Sequence, residues 1–90
     1  MMTIVSRSIV SVNLNLHTMN IKERLGLKVK KLREEKGISI EYFANMSNVD
    51  RTYISDIEKG KRNISIEILE KILKGLGITF EEFFKEGIDE

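Results

Sequence analysis

The sequence contains no cysteine, no proline and no tryptophan, and its 90 residues include a single histidine, His17. Without cysteine the chain forms no disulfide and no thiolate metal site, and one histidine alone makes no metal-ligand set. No apolar run approaches the roughly 20 residues that a transmembrane helix needs. Serine and asparagine interrupt the apolar residues near the N-terminus, which makes that segment a poor signal peptide. We therefore expect one small cytoplasmic domain with no metal, no cofactor and no membrane contact.

The net charge of +1 conceals two segments of opposite charge. Residues 22–62 contain eleven Lys and Arg against seven Asp and Glu, a net charge of +4, whereas residues 63–90 contain three against seven, a net charge of −4. A basic segment favours contact with a polyanion. Solvated charges on ordinary surface helices give the same pattern, so charge alone leaves both interpretations open.

The absence of proline and the abundance of Lys, Glu, Leu and Ile after residue 20 favour helices. Apolar residues at helical spacing, polar N-caps and terminal glycines divide the chain into five such segments. The predicted helices are roughly 21–36, 39–47 with Ser39 as N-cap, 50–59 with Asp50 as N-cap, 65–76, and a short fifth helix with Thr79 as N-cap. The predicted fold class is therefore all-α.

The third predicted helix has one apolar and one polar face. Ile54 and Ile57 share a face with Val49, just before the helix. The opposite face carries Thr52, Ser55, Asp56 and Lys59, and Arg51 lies in the exposed first turn. Asn48 stands where a chain between two crossed helices needs a left-handed residue. Two short helices joined in this way predict a helix-turn-helix.

The segment LREEKGISIEYFANMSNVDRTYISDIEKGKRNISIEILEKILKGLGIT carries a family resemblance. It resembles the lambda-repressor-like, XRE-type DNA-binding domain, and the resemblance covers residues 25–84. Within that superfamily, NVDRTYISDIEKGKRNISIEIL is most similar to the controller proteins of restriction–modification systems. The resemblance implies a five-helix DNA-binding domain.

The resemblance also implies site residues. Arg51 and Thr52 match positions that reach base edges, and Ser55 and Asp56 match positions of further base or water-mediated contacts. Tyr53 matches a position near the sugar–phosphate backbone. The loop positions that grip phosphates are Lys61, Arg62 and Asn63, of which Arg62 is also a candidate base contact. Arg33 and Glu58 match a buried structural ion pair. For each of these DNA-contact candidates the alternative interpretation is an ordinary solvated surface residue that contacts no DNA.

Asp56 needs a special role because its carboxylate repels phosphate unless it accepts from a cytosine amino group or orients Arg51. The chain also departs from the family pattern at Ile40, where a glutamine is common, and at Asn48, where glycine is usual. Ser39 and the first amides of its helix are the remaining phosphate ligands there, because a helix N-terminus attracts anions.

The resemblance implies a sequence-specific transcription regulator that binds a palindromic operator on double-stranded DNA. The implied assembly is a homodimer through helices four and five, with RNA polymerase as a further partner during activation. In the fourth helix Ile66, Leu69, Leu73 and Leu76 form one apolar stripe, which Ile64, Ile68 and Ile72 widen. These apolar residues exceed what a monomer core needs. The excess, together with Phe83 or Phe84, supports a dimer.

Other functions stay open. A phage-type repressor or an antitoxin of the XRE family is the alternative, and a protein–protein interaction module that binds no DNA is a more remote one. We expect no enzyme, because the sequence has no cysteine, a single histidine, no phosphate-binding glycine loop and no plausible acid–base pair.

Residues 1–18 precede the point where the resemblance begins, and the domain is expected at 19–90. Val10, Val12, Leu14 and Leu16 alternate with polar residues in a strand-like pattern, although a lone strand has no partner in an all-helical domain. We expect an irregular or strand-like extension that DNA binding does not require, and a translated leader is one interpretation of it.

Overall fold

The computed structural model describes residues 19–85, and this part of the chain is helical without strands. Its five helices are α1 (Ile21–Glu35), α2 (Ile40–Ser47), α3 (Arg51–Glu58), α4 (Ile66–Leu76) and α5 (Phe80–Phe84). The predicted all-α class and the order of the five helices are confirmed. The strand-like extension predicted for residues 1–18 lies outside the described residues.

The helices begin at side chains that accept hydrogen bonds from free backbone amides, as polar N-caps do. The Ser39 hydroxyl oxygen accepts from the Tyr42 amide at 3.1 Å. The Asp50 carboxylate accepts from the Thr52 amide at 3.0 Å. Asn48 ends α2 with φ 56° and ψ 45°, which is the left-handed conformation predicted from the sequence. These caps fix where α2 ends and where α3 begins.

The core is formed where α2 packs against α4 and α1 packs against α3. Phe83 of α5 is fully buried and closes one side of it. The buried apolar residues are Val29, Phe43, Ala44, Val49, Ile54, Ile57, Leu69, Ile72, Leu73, Leu76 and Phe83. Burial of side chains such as these contributes roughly 1.5–3 kcal/mol each before the entropy cost of folding is counted.

Two helix crossings require glycine. A methyl group added at Gly26 of α1 would overlap the carbonyl oxygen of Ile57 in α3. A methyl group added at Gly75 of α4 would overlap the Ser47 hydroxyl at the end of α2. The crossing of α1 with α3 thus brings helix backbones into contact without intervening side chains, which fixes the position of α3 relative to α1.

The apolar stripe predicted for α4 is only partly buried. Leu69, Leu73 and Leu76 lie in the core as expected, but Ile66 is 65% exposed. Ile66 occupies the first turn of α4, one turn before the first buried residue of that helix. Ile72, which was assigned to the margin of the stripe, is fully buried instead.

An ion pair links α1 to α3, as the resemblance implied. Arg33 Nε donates to Glu58 Oε2 at 2.7 Å and Nη2 donates to Oε1 at 3.1 Å. Arg33 Nη1 also donates to the Ile38 carbonyl oxygen at 2.9 Å. The side chains of the pair are only 13% and 6% exposed. The hydrogen bonds that Arg33 donates to Glu58 raise the pKa of Arg33, so this guanidinium is a permanently charged part of the scaffold.

Two kinds of feature are absent between residues 19 and 85. No helix there is long and apolar enough to cross a membrane. The same residues contain no group of three or more His, Cys, Asp or Glu side chains arranged to hold a metal ion.

Candidate nucleic-acid interface

The polar face of α3 points outward, as its sequence pattern predicted. Arg51 and Thr52 are exposed, and Ser55 is half-buried. Ile54, which lies between them in the sequence, is fully buried. One face of α3 is held in the core. The opposite face therefore presents short polar side chains, which leave room for a nucleic-acid groove to come close to the helix. This outer face of α3 is the candidate for reading bases.

Arg51 is paired with a carboxylate from the preceding helix. Its Nε donates to Glu41 Oε2 at 2.9 Å. The two side chains are 56% and 63% exposed, so the pair lies on the surface beside the outer face of α3. A hydrogen bond from the Glu41 backbone, followed by the one from Arg51, lowers the pKa of the Glu41 carboxyl. Glu41 therefore carries a full negative charge near neutral pH.

Arg62 is held against the far end of α3 by two side chains. Its Nε donates to Asp56 Oδ2 at 3.2 Å, and its Nη2 lies 3.1 Å from the same oxygen. Its guanidinium carbon lies 4.7 Å from the centre of the Tyr53 ring, which is a cation–π distance. Asp56 and Tyr53 thus place Arg62 beside α3 before any ligand is present.

Residues 60–64, which we call the basic loop, continue from α3 toward α4. The Lys61 amide donates to the Asp56 carbonyl oxygen at 2.9 Å, which folds the start of the loop back onto α3. Gly60 adopts φ +75°, and a side chain there would meet the Glu23 backbone at 2.8 Å. Lys61, Arg62 and Asn63 are all exposed. The loop is therefore anchored at its base while its polar side chains face solvent.

Ser39 lies at the N-terminus of α2, two residues from Glu41. Its hydroxyl oxygen is occupied as the N-cap, although its proton is still available to a phosphate oxygen. The positive end of α2 favours an anion at this position, whereas the Glu41 charge opposes one. Binding of a phosphate at the start of α2 therefore depends on how far the positive charge of Arg51 offsets the negative charge of Glu41.

The structure places most of the predicted site residues on α3 and in the basic loop that follows it, and it adds one residue that the sequence analysis missed. Glu41 was not among the candidates, and it is the partner of Arg51. Asp56, for which a role in orienting Arg51 was considered, pairs with Arg62 instead. The only sequence signal for Glu41 is an acidic residue in the first turn of α2, and that also suits an ordinary helix start.

Comparisons with known proteins agree with this geometry. A helix-turn-helix family model matches residues 29–83. The chain is 56% identical over 68 residues to the control protein C.MunI of a Mycoplasma species, covering 74% of this chain and 92% of that protein. It is 47% identical over 62 residues to the control protein C.BamHI of Bacillus amyloliquefaciens, covering 68% and 76%.

Solved structures give the same result. The restriction–modification controller protein C.Esp1396I, solved as a tetramer with its natural 35 base-pair operator, superposes with a TM-score of 0.72 at 43% identity, covering 76% of this chain and 90% of that one. The controller protein C.AhdI from Aeromonas hydrophila gives a TM-score of 0.67 at 35% identity, covering 70% and 96%. The chain therefore belongs to the helix-turn-helix family and, within it, to the controller proteins of restriction–modification systems.

Proposed function

We propose that this protein is a sequence-specific DNA-binding transcription regulator that controls a restriction–modification system from a palindromic operator. The observation that carries the proposal is the outer face of α3, where Arg51 and Thr52 are exposed beside the basic loop. The similarity to C.Esp1396I, whose structures include complexes with operator DNA of 25 and 35 base pairs, supports it. The protein regulates transcription and catalyses no reaction. It acts in the cytoplasm, where it binds its operator DNA.

In this proposal α3 enters the major groove and its outer face reads the bases. Arg51 presents a planar fork that matches O6 and N7 of guanine, and Thr52 and Ser55 supply shorter contacts. Tyr53 lies toward the sugar–phosphate backbone. Phosphate contacts from the basic loop set the register of the helix on the duplex, while the base contacts supply specificity.

The proposed assembly is a homodimer through α4 and α5. Ile66 of α4 and Phe84 of α5 are 65% and 44% exposed in the monomer, so both are accessible to a second copy. A two-fold axis beside them would place two copies of α3 on successive major grooves about 34 Å apart, which is what a palindromic operator requires.

Two variants distinguish a base contact from a phosphate contact. The preferred duplex is first selected from random-sequence DNA, and a scrambled duplex of the same composition is the reference. Arg51→Ala should cost about 1–3 kcal/mol on the preferred duplex and much less on the scrambled one. Lys61→Ala should weaken both alike and lower the slope of affinity against salt by about one unit. Equal weakening of both duplexes by Arg51→Ala would make Arg51 a phosphate contact. If selection recovers no preferred duplex, the proposed function is wrong.

The dimer is tested at Phe84. Its ring lies 5.0 Å from that of Phe83 in an edge-to-face contact, but only Phe83 is buried in the monomer. Phe84→Ala should therefore shift the mass measured by light scattering toward the monomer while circular dichroism keeps the helical signal. Leu27→Ala, at an exposed position on α1, is the matched control and should keep the dimer mass. Loss of helix in Phe84→Ala would place this ring in the monomer core instead.

A further inference from the structure

Three arginines among the described residues are paired with carboxylates, and the pairings differ in how much of each guanidinium they occupy. Arg33 has three nitrogens engaged, with Glu58 and the Ile38 carbonyl oxygen as acceptors. Arg62 has two nitrogens on one Asp56 oxygen and one face on an aromatic ring. Arg51 is held through Nε alone. Of the three, Arg51 keeps the most donor capacity for a ligand.

The edge of Arg51 that stays available is the one that reads guanine. A guanidinium whose Nε donates to a carboxylate still presents Nη1 and Nη2, and these can donate in parallel to O6 and N7. Arg51 can therefore bind a guanine without leaving Glu41. On such a site the Glu41 charge stays compensated while Arg51 makes its base contact.

A phosphate is a different target. We take the sugar–phosphate backbone to run along the rim of the groove, where Arg51 releases Glu41 to reach a phosphate oxygen. The pair is more than half exposed, so solvent screens it and breaking it costs little. The larger penalty comes afterwards, because an uncompensated carboxylate is then left beside a polyanion. The Glu41 carboxylate and the DNA phosphates then repel each other, which opposes binding. Because no contact offsets this repulsion, a site without a guanine for Arg51 is unfavourable.

We propose that Glu41 is a specificity-determining residue that lets Arg51 bind guanine but penalises its use as a phosphate ligand on non-operator DNA. This inference rests on the proposed function, since it assumes that α3 reads DNA. Glu41 acts through Arg51 and by repulsion of phosphate, and it contacts no base. Its position in the first turn of α2, close to the phosphate expected at Ser39, strengthens the penalty because the charge lies where the backbone approaches.

The test compares Glu41→Gln with Glu35→Gln, at an exposed position at the C-terminal end of α1. Both variants make the same substitution and remove one negative charge with almost no change in side-chain size, so Glu35→Gln controls for net charge. Dissociation constants are measured for the selected duplex and the scrambled duplex at several salt concentrations. Circular dichroism and light scattering confirm that each variant keeps its fold and its mass.

Glu41→Gln should raise affinity for the scrambled duplex more than for the selected one, so that the ratio of specific to non-specific affinity falls about three- to tenfold. Glu35→Gln should leave the ratio within about twofold, because a solvent-exposed charge at the end of α1 acts on every DNA sequence alike. An unchanged ratio in Glu41→Gln overturns the inference. An equal fall in both variants also overturns it, since overall surface charge would then set the discrimination.

A double-mutant cycle identifies the partner. In the Arg51→Ala background no guanidinium is left for Glu41 to hold, so Glu41→Gln should strengthen both duplexes equally and leave the ratio unchanged. A further fall in the ratio in that background would mean that Glu41 acts without Arg51, which contradicts the inference. A wild-type protein with no preference between the duplexes would refute the proposed function itself, whereas a wild-type preference that survives Glu41→Gln refutes only the role of Glu41.

Discussion

Replacement of Gly26 by alanine sets two effects of known size against each other. Gly26 lies inside α1, where alanine favours the helix by about 1 kcal/mol over glycine. The added methyl group, however, would overlap the Ile57 carbonyl oxygen and lie 3.1 Å from the Glu58 carbonyl oxygen. These atoms belong to the α3 backbone and cannot rotate away as a side chain can. Relief requires a shift of α3 itself, and overpacking of this kind costs about 1–3 kcal/mol.

Because the overlap is with backbone atoms, we take the upper end of this cost, and Gly26→Ala should lower the free energy of unfolding by a net amount of about 2 kcal/mol. Each kcal/mol corresponds to a fall in Tm of roughly 4–8 °C for a domain of this size. Because the shift displaces α3, affinity for the selected duplex should also fall under conditions where the variant is fully folded. Urea unfolding followed by circular dichroism gives the first quantity and duplex titration the second. Leu27→Ala, at the exposed neighbouring position, is the control for α1. A Gly26→Ala protein as stable as the wild type would show that the two helices do not touch through their backbones.

Three further predictions follow from the packing and from the chain order. Glu58→Ala should destabilise the fold by about 3–5 kcal/mol in urea unfolding, because it leaves Arg33 buried without its partner; a cost under about 1 kcal/mol would contradict a buried pair. Gly75→Ala should lower the free energy of unfolding, because the added methyl group overlaps the Ser47 hydroxyl. Adding Ser47→Ala to this variant should restore part of the lost stability, because the hydroxyl is buried without a hydrogen-bond partner and its removal costs little. A chain that begins at Met19 should fold and bind the selected duplex as tightly as the full chain, and failure of either would make residues 1–18 part of the domain.

Local signals accounted for most of the fold. Ser39, Asp50 and Thr79 were predicted as N-caps because each offers a side-chain oxygen to free amides, and all three accept such bonds. Asn48 was predicted in the left-handed conformation because few other residues tolerate it. The cap of α1 was missed, although Asn20 and Glu23 form a reciprocal capping box that its sequence spacing allows.

Contacts between helices were harder to predict, because a periodic pattern shows which residues face inward but not how two helices cross. Glu41 and Arg51 are ten residues apart and meet only because the turn at Asn48 brings α2 against the start of α3. The Lys28 ammonium on α1 lies 5.3 Å from the centre of the Phe83 ring on α5. Both contacts depend on distances in space that one sequence does not contain.

The contact of α3 with α1 has a consequence for motion. Eight residues are too few for a helix to persist by itself, since isolated helices shorter than about 12–15 residues are marginal in water. α3 is instead maintained by the backbone contact at Gly26 and by the ion pair at Glu58. Its central amides should then exchange with solvent only when the whole domain opens, at the same rate as the slowest amides of α1. We therefore expect α3, which we propose reads DNA, to have no separate melting transition, and a substitution that loosens α1 should also shorten the time that α3 stays in the groove.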